Sequence, residues 1–266
     1  MRVLYIIPAE RFGGAERQAV YHMRLLPQCG IDVVPVVGPG TLILDQLKAE
    51  GVDDVEFTRS IVQEYDRPYH TLDFSQYVAS TMATWVVAQP ALRNLLRRHE
   101  IDAIFASRVT GWVMVGLLAR SLGIPQIWRV GSRPANTIEQ TMLRWYAALS
   151  QPEGVVCNCE ALQRDITPLV QASNWVVYNG VDTDRFNPAA QKPLLRKQLN
   201  SASRKTVVIG VSARPSPGKG LETLADALLL LDKSSENMQV LVAGDYGWRE
   251  HYEHYFAQRG LGDRVH

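Results

Sequence analysis

Cysteine is scarce in this 266-residue chain: Cys29, Cys157 and Cys159 cannot build a disulfide framework, and a reduced, cytoplasmic setting is expected. No apolar run reaches the length of a membrane span, and Met1-Arg2 leads directly into a strand-like run with no secretory signal. Charge of either sign is not in excess. Lys and Arg number 28 against 27 Asp and Glu, a net +1 that gives no argument for a nucleic-acid partner. Solenoid-length repeats and low-complexity tracts are absent. So is the G-x-G-x-x-G fingerprint, which removes support for dehydrogenase chemistry. A Walker A loop is excluded as well, because Lys219 is followed by Gly220 rather than Ser or Thr, and Ala213 stands where its leading glycine would be. Metal-ligand patterns are weak. Cys157-x-Cys159 lacks a second pair and His251-x-x-His254 lacks the His-Glu-x-x-His spacing, so the cysteines are read as structural and the histidines as a solvated helix face.

What is present is an ordinary globular mixture, 46% hydrophobic and 21% charged, enough for one large or two modest domains. Short apolar runs alternate with helical patterns from end to end. Residues 3–7 form a near-continuous apolar run, the mark of a parallel strand buried on both faces, and Pro8 ends it. A helix follows through about residue 26, with Ala19, Met23 and Leu26 at helical spacing. Further strands are expected at 31–37, 55–57, 102–106, 126–130, 154–158, 175–177, 207–211 and 239–243. Helices are expected at 41–50, 76–98 with an interruption near Pro90, 111–122, 136–148, 159–170, 221–231 and 249–258. Residues 58–74 are polar, aromatic and turn-rich, a length of irregular chain that is often functional.

Three stretches carry chemistry. Gly13-Gly14-Ala15-Glu16 lies at a strand-to-helix turn, where glycines let backbone approach a ligand and helix N-terminal amides attract phosphate; the alternative is a plain tight turn. Arg214-Pro215-Ser216-Pro217-Gly218-Lys219-Gly220 sets a planar guanidinium and a point-charge ammonium in a loop before a helix; the alternative is a solvated turn. Tyr178-Asn179-Gly180-Val181-Asp182, continuing through Arg185-Phe186-Asn187-Pro188, ends one strand and precedes a new α/β run, and reads as a hinge or as a surface loop.

Asn-Gly-Val-Asp followed by Arg-Phe-x-Pro resembles the interdomain linker of the retaining GT-B glycosyltransferases of family 4, and the stretches at Gly13 and Arg214 resemble the same family in the right order. The resemblance implies an α/β GT-B architecture of two Rossmann-like, doubly wound domains. Here these would be residues 1–178, an acceptor-side domain, and 179–266, a hinge with an incomplete nucleotide-sugar domain. It implies transfer of a sugar from a nucleotide-sugar, as substrate, to a hydroxyl acceptor, with retention and with neither cofactor nor catalytic metal. The donor diphosphate contacts would be Gly13, Gly14, Arg214 and Lys219. Fixed cations and amides there would meet the charge that develops as the nucleotide leaves. Glu16, Ser107, Arg108, Arg129, Gly131 and Arg133 fall where donor or acceptor would lie.

Two departures from the family pattern matter. A histidine is frequent where Gly131 stands, so no catalytic group is assigned. The family's second domain carries an acidic motif of two glutamates separated by seven residues, which is not found in residues 179–266, and a chain continuing beyond His266 is expected. Other GT-B chemistries, a nucleotide-sugar epimerase or a glycosyl phosphorylase, remain alternatives, as does a non-catalytic binding module. The second domain's first strand lacks an expected neighbour, which predicts self-association or loose packing there. Residues 92–98 set leucines against arginines, a pattern that suits a solvated face over a core or a peripheral membrane contact.

Overall fold

The computed structural model describes residues 1–8, 13–37, 41–57, 74–134, 136–189, 206–213, 215–231, 238–244 and 248–266. The chain divides into two compact units, Met1–Val181 and Asp182–His266.

In the first unit seven parallel strands form one sheet: β1 (Arg2–Ile7), β2 (Asp32–Val37), β3 (Glu56–Phe57), β4 (Ala103–Ser107), β5 (Gln126–Val130), β6 (Gly154–Cys157) and β7 (Ser173–Val176). Their order is β3-β2-β1-β4-β5-β6-β7. The helices between them are α1 (Gly14–Leu25), α2 (Thr41–Ala49), α3 (Phe74–His99), α4 (Arg108–Leu122), α5 (Thr137–Ser150) and α6 (Glu160–Ile166).

The continuous apolar runs of the central strands reflect cover on both faces. Leu4 and Ile6 of β1 join Val36, Ile104, Ala106, Trp128 and Val155 in a core that α3 to α6 complete. Tyr5 and Ile7 point the other way, to Ala19, Val20 and Met23 of α1 and Leu47 of α2. Adjacent residues thus serve opposite cores, as strand geometry requires.

Trp128 is fully buried and stacked, 5.2 Å from the Trp112 ring and 5.8 Å from Tyr146. Its indole N–H donates to Gln126 Oε1 at 2.9 Å, and the Gln126 amide in turn donates to the carbonyls of Gly116 and Ser150 at 3.0 and 2.7 Å. A buried polar group costs little once it is satisfied in this way.

Two expectations from the sequence change. The helix over 76–98 is not interrupted at Pro90: α3 runs unbroken through it. Pro90 is exposed, while Ala88, Leu92, Leu95 and Leu96 around it are buried, and Gln89 Nε2 bonds to the carbonyls of Trp85 and Met114, tying α3 to α4. Packing of the buried face outweighs the missing backbone donor. Because those leucines lie in the core, the apolar side of the 92–98 segment is not available to a membrane. The fourth helix also begins three residues earlier than expected, at Arg108.

The second unit contains β8 (Val207–Ser212) and β9 (Met238–Ala243), a parallel pair, with α7 (Leu221–Leu230) and α8 (Arg249–Gln258). Leu221, Ala225, Leu228, Val240, Tyr252, Phe256 and Leu261 form its core. The expected approach to a third strand is there: Val265 bridges Val240, and His266 exchanges backbone hydrogen bonds with Val240 and Val242 at 2.9 and 2.8 Å.

Candidate functional site

Strand order reverses between β1 and β4, because the chain leaves β1 for the α1 face and leaves β4 for the α4 face. In an open α/β sheet, ligands bind in the crevice that such a reversal opens beyond the carboxyl ends of the strands. Gly13 and Gly14 stand on one side of this crevice, and Ser107 and Arg108 on the other.

Gly13 caps α1 in extended conformation, and Gly14 is the first helical residue. A Cβ added at Gly14 would meet no atom of the described residues within 4 Å. Glu16, two residues on, is buried, with only 3% of its surface exposed. Its carboxylate joins the two sides of the crevice: Oε2 accepts the Gly13 N–H at 2.9 Å, and Oε1 accepts Arg108 Nη2 at 2.8 Å. Burying a carboxylate is costly unless it is paired and hydrogen-bonded, and here both conditions are met.

Arg108 has φ +64°, a left-handed conformation that costs a side-chain-bearing residue about 1–3 kcal/mol. Ser107 is buried, and its hydroxyl donates to the Ile6 carbonyl at 3.1 Å, holding β4 against β1 rather than reaching into the crevice.

Arg129 is the next-to-last residue of β5, in register with Ser107, and is buried. Its guanidinium donates to Asn179 Oδ1 at 2.9 Å. The next residue, Gly180, exchanges two hydrogen bonds with the Gln18 side chain of α1: Gln18 Nε2 donates to its carbonyl at 2.8 Å, and its N–H donates to Gln18 Oε1 at 3.1 Å. Asn179-Gly180, near the end of the first unit, is therefore fastened at two points to β5 and α1. Sequence reasoning missed Gln18 and the Asn179 side chain. A glutamine on a helix carries no spacing signal, and Asn-Gly reads as a turn whatever it bonds to.

The same face holds His22, whose Nδ1 lies 3.0 Å from the Tyr5 hydroxyl. Burial, and secondarily the positive charge of Arg129, lower the His22 pKa to about 4. Neutral His22 and the Tyr5 hydroxyl share this hydrogen bond, and burial raises the Tyr5 pKa above its usual value.

Gly131 leaves room beside this charge, since an added Cβ would meet only Arg129 Nη1, at 3.9 Å. Arg133 is not brought into the group. It is largely exposed and lies 3.4 Å from Asp165 on α6.

In the second unit, Lys219 is exposed and sits between Gly218 and Gly220, whose φ values are +81° and +78°. Gly220 caps α7, and its carbonyl takes the first helical bond, from Leu224 N at 2.9 Å. Left-handed glycines beside a helix N-terminus turn amides towards one side, an arrangement suited to anions. Arg214 lies outside the described residues.

A doubly wound parallel sheet with its crevice residues linked across the strand-order reversal, followed by a second βαβ unit, defines a Rossmann-like α/β protein of the GT-B type. Residues 12–185 match glycosyltransferase family 4, and the chain belongs to that family. None of the curated protein sequences matches it significantly. Among solved structures, all of the chain superposes on 68% of Anabaena Alr3699/HepE, crystallised with UDP and glucose, at TM-score 0.72 and 19% identity. A glycosyltransferase from Rickettsia africae ESF-5 gives 0.68 at 18% identity, again over 100% of this chain and 67% of that one. The UDP-N-acetylglucosamine 2-epimerase of Rickettsia bellii gives 0.62 at 13%, over 100% and 68%. At these identities the likeness is one of fold.

Proposed function

We propose that this chain carries the donor-binding elements of a retaining glycosyltransferase, which moves a sugar from a nucleotide-sugar to a hydroxyl acceptor. The observation that carries this reading is the unfilled space over Gly14, at the α1 N-terminus and beside the Glu16–Arg108 pair. A glycine at a helix N-terminus lets an anionic ligand approach the backbone amides closely.

The α1 amides would face the diphosphate, and Arg214 and Lys219 would add cationic contacts. As the sugar–phosphate bond breaks, negative charge grows on the departing nucleotide, and groups already fixed in place stabilise it without reorganising. Glu16 would hold the Gly13 amide and Arg108 in position. Departure and attack on one face of the sugar would give retention. The alternative, an epimerase that alters the donor itself, is not favoured; only the transferase reading needs an acceptor hydroxyl.

Calorimetric titration with UDP and GDP tests the assignment. Lys219→Ala and Arg214→Ala should each weaken binding by about 1.5–3 kcal/mol, the range of charge-assisted hydrogen bonds. Gly14→Val should abolish binding with the circular dichroism spectrum unchanged. Unaltered affinity in all three variants would refute the diphosphate assignment.

A further inference from the structure

We propose that the outer side of the α3–α4–α5 layer docks this protein onto an anionic lipid surface. The reading does not depend on the proposed chemistry. α5 carries two apolar stripes. Leu143, Ala147 and Tyr146 face inward, with Tyr146 bonded to the carbonyls of Trp112 and Val113 on α4. Ile138, Met142, Trp145 and Leu149 recur at i, i+4, i+7 and i+11, three full turns; Met142 is half-buried and the other three turn outward. Trp145 is 67% exposed, Leu149 53% and Ile138 47%. On α3, Met82, Val86 and Val87 are each more than half exposed. Scattered surface hydrophobes are ordinary, but a helix-long stripe that includes a tryptophan is not.

Charge selects the occupant. Neither α3 nor α4 contains a single Asp or Glu, and α5 contains only Glu139. Arg93, Arg97 and Arg144 are exposed and have no carboxylate partner among the described residues. The opposite side of the sheet is built differently: Arg17 and Arg24 of α1 both pair with Glu50. An exposed apolar stripe with an amphipathic indole in it, in a helical layer that carries three uncompensated arginines, is the composition that settles at the headgroup boundary of anionic membranes. A second copy of the chain is a poorer fit, because a two-fold contact through this face would set arginines against arginines.

The experiment is co-sedimentation of the full chain with phosphatidylcholine vesicles, with and without phosphatidylglycerol. The chain should pellet with the anionic vesicles only, and added salt should release it. Arg93→Glu combined with Arg97→Glu and Arg144→Glu should weaken partitioning by about tenfold or more. Trp145→Ser with Leu149→Ser should do the same. All these positions are exposed, and an unchanged circular dichroism spectrum would show that the variants fold. Equal binding to neutral vesicles, no binding to either kind, or full binding by both sets of variants would overturn the proposal. So would light scattering that shows dimers which Trp145→Ser abolishes, since the stripe would then be a protein contact.

Discussion

β1 and β8 are the same kind of strand, six residues long, apolar and parallel to their neighbours, yet their burial differs. From Val3 to Ile7 every residue of β1 is buried, with partners on both edges and helices on both faces. No residue of β8 is fully buried, Val207 is half exposed, and its one strand partner among the described residues is β9. The difference lies in the neighbours. An apolar run states what a strand needs, and only the surrounding chain determines whether it is met. In the first unit a seven-stranded sheet meets it. In the second, one core of seven buried side chains from β9, α7, α8 and Leu261 covers what it can.

If the first unit is the independently stable part, its core substitutions should be costly and confined to it. Trp128→Ala removes the middle ring of a three-ring stack and the partner of Gln126, and should destabilise the first unit by about 3–5 kcal/mol. Urea denaturation followed by far-ultraviolet circular dichroism would measure this. A loss under 1 kcal/mol would contradict the core assignment.

Acid should act on the same unit. The folded pKa of His22, about 4, lies below the ordinary 6.5, so between these values the unfolded chain binds the extra proton. Stability is then complete above pH 6.5, falls as the pH drops towards 4 and levels off below it. The total is about 3 kcal/mol from this group. His22→Gln should remove that share of the slope when denaturation midpoints are compared across pH.

The smallest effect belongs to the second unit. Tyr252→Phe removes the hydroxyl bonded to Glu222 at 2.5 Å and should cost about 1.5 kcal/mol there. Amide exchange of α7 and α8 should rise while β1 and β4 stay protected. Equal acceleration in both units would mean that they unfold together.

Much of this organisation is legible in residue pattern, because parallel strands and their crossover helices announce themselves through continuous apolar runs and the period of the helices. The β5 strand at Gln126–Val130 and the α8 helix at Arg249–Gln258 fall where the pattern puts them. Pro90 misleads, since its local cost is visible in sequence and the Leu92, Leu95 and Leu96 packing that outweighs it is not. The site is legible by residue type and opaque in its connections. Gly13, Glu16, Arg108 and Arg129 stand out as chemistry-bearing residues near strand ends. That Glu16 joins Gly13 to Arg108 across 92 residues, or that Gln18 fastens Gly180, depends on contacts between distant segments that no local spacing encodes. Arg133 shows the converse: it is the right residue type in the right stretch, but directed at Asp165.

Hydrogen exchange on the 266-residue chain, with and without saturating UDP, tests most directly the claim that the α1 and α7 N-termini serve a nucleotide diphosphate. Amides of residues 13–17 and 218–224 should slow on addition of UDP, and Gly14→Val should erase the change at the first of these. Unchanged exchange at both segments, or slowing confined to other parts of the chain, would contradict the account.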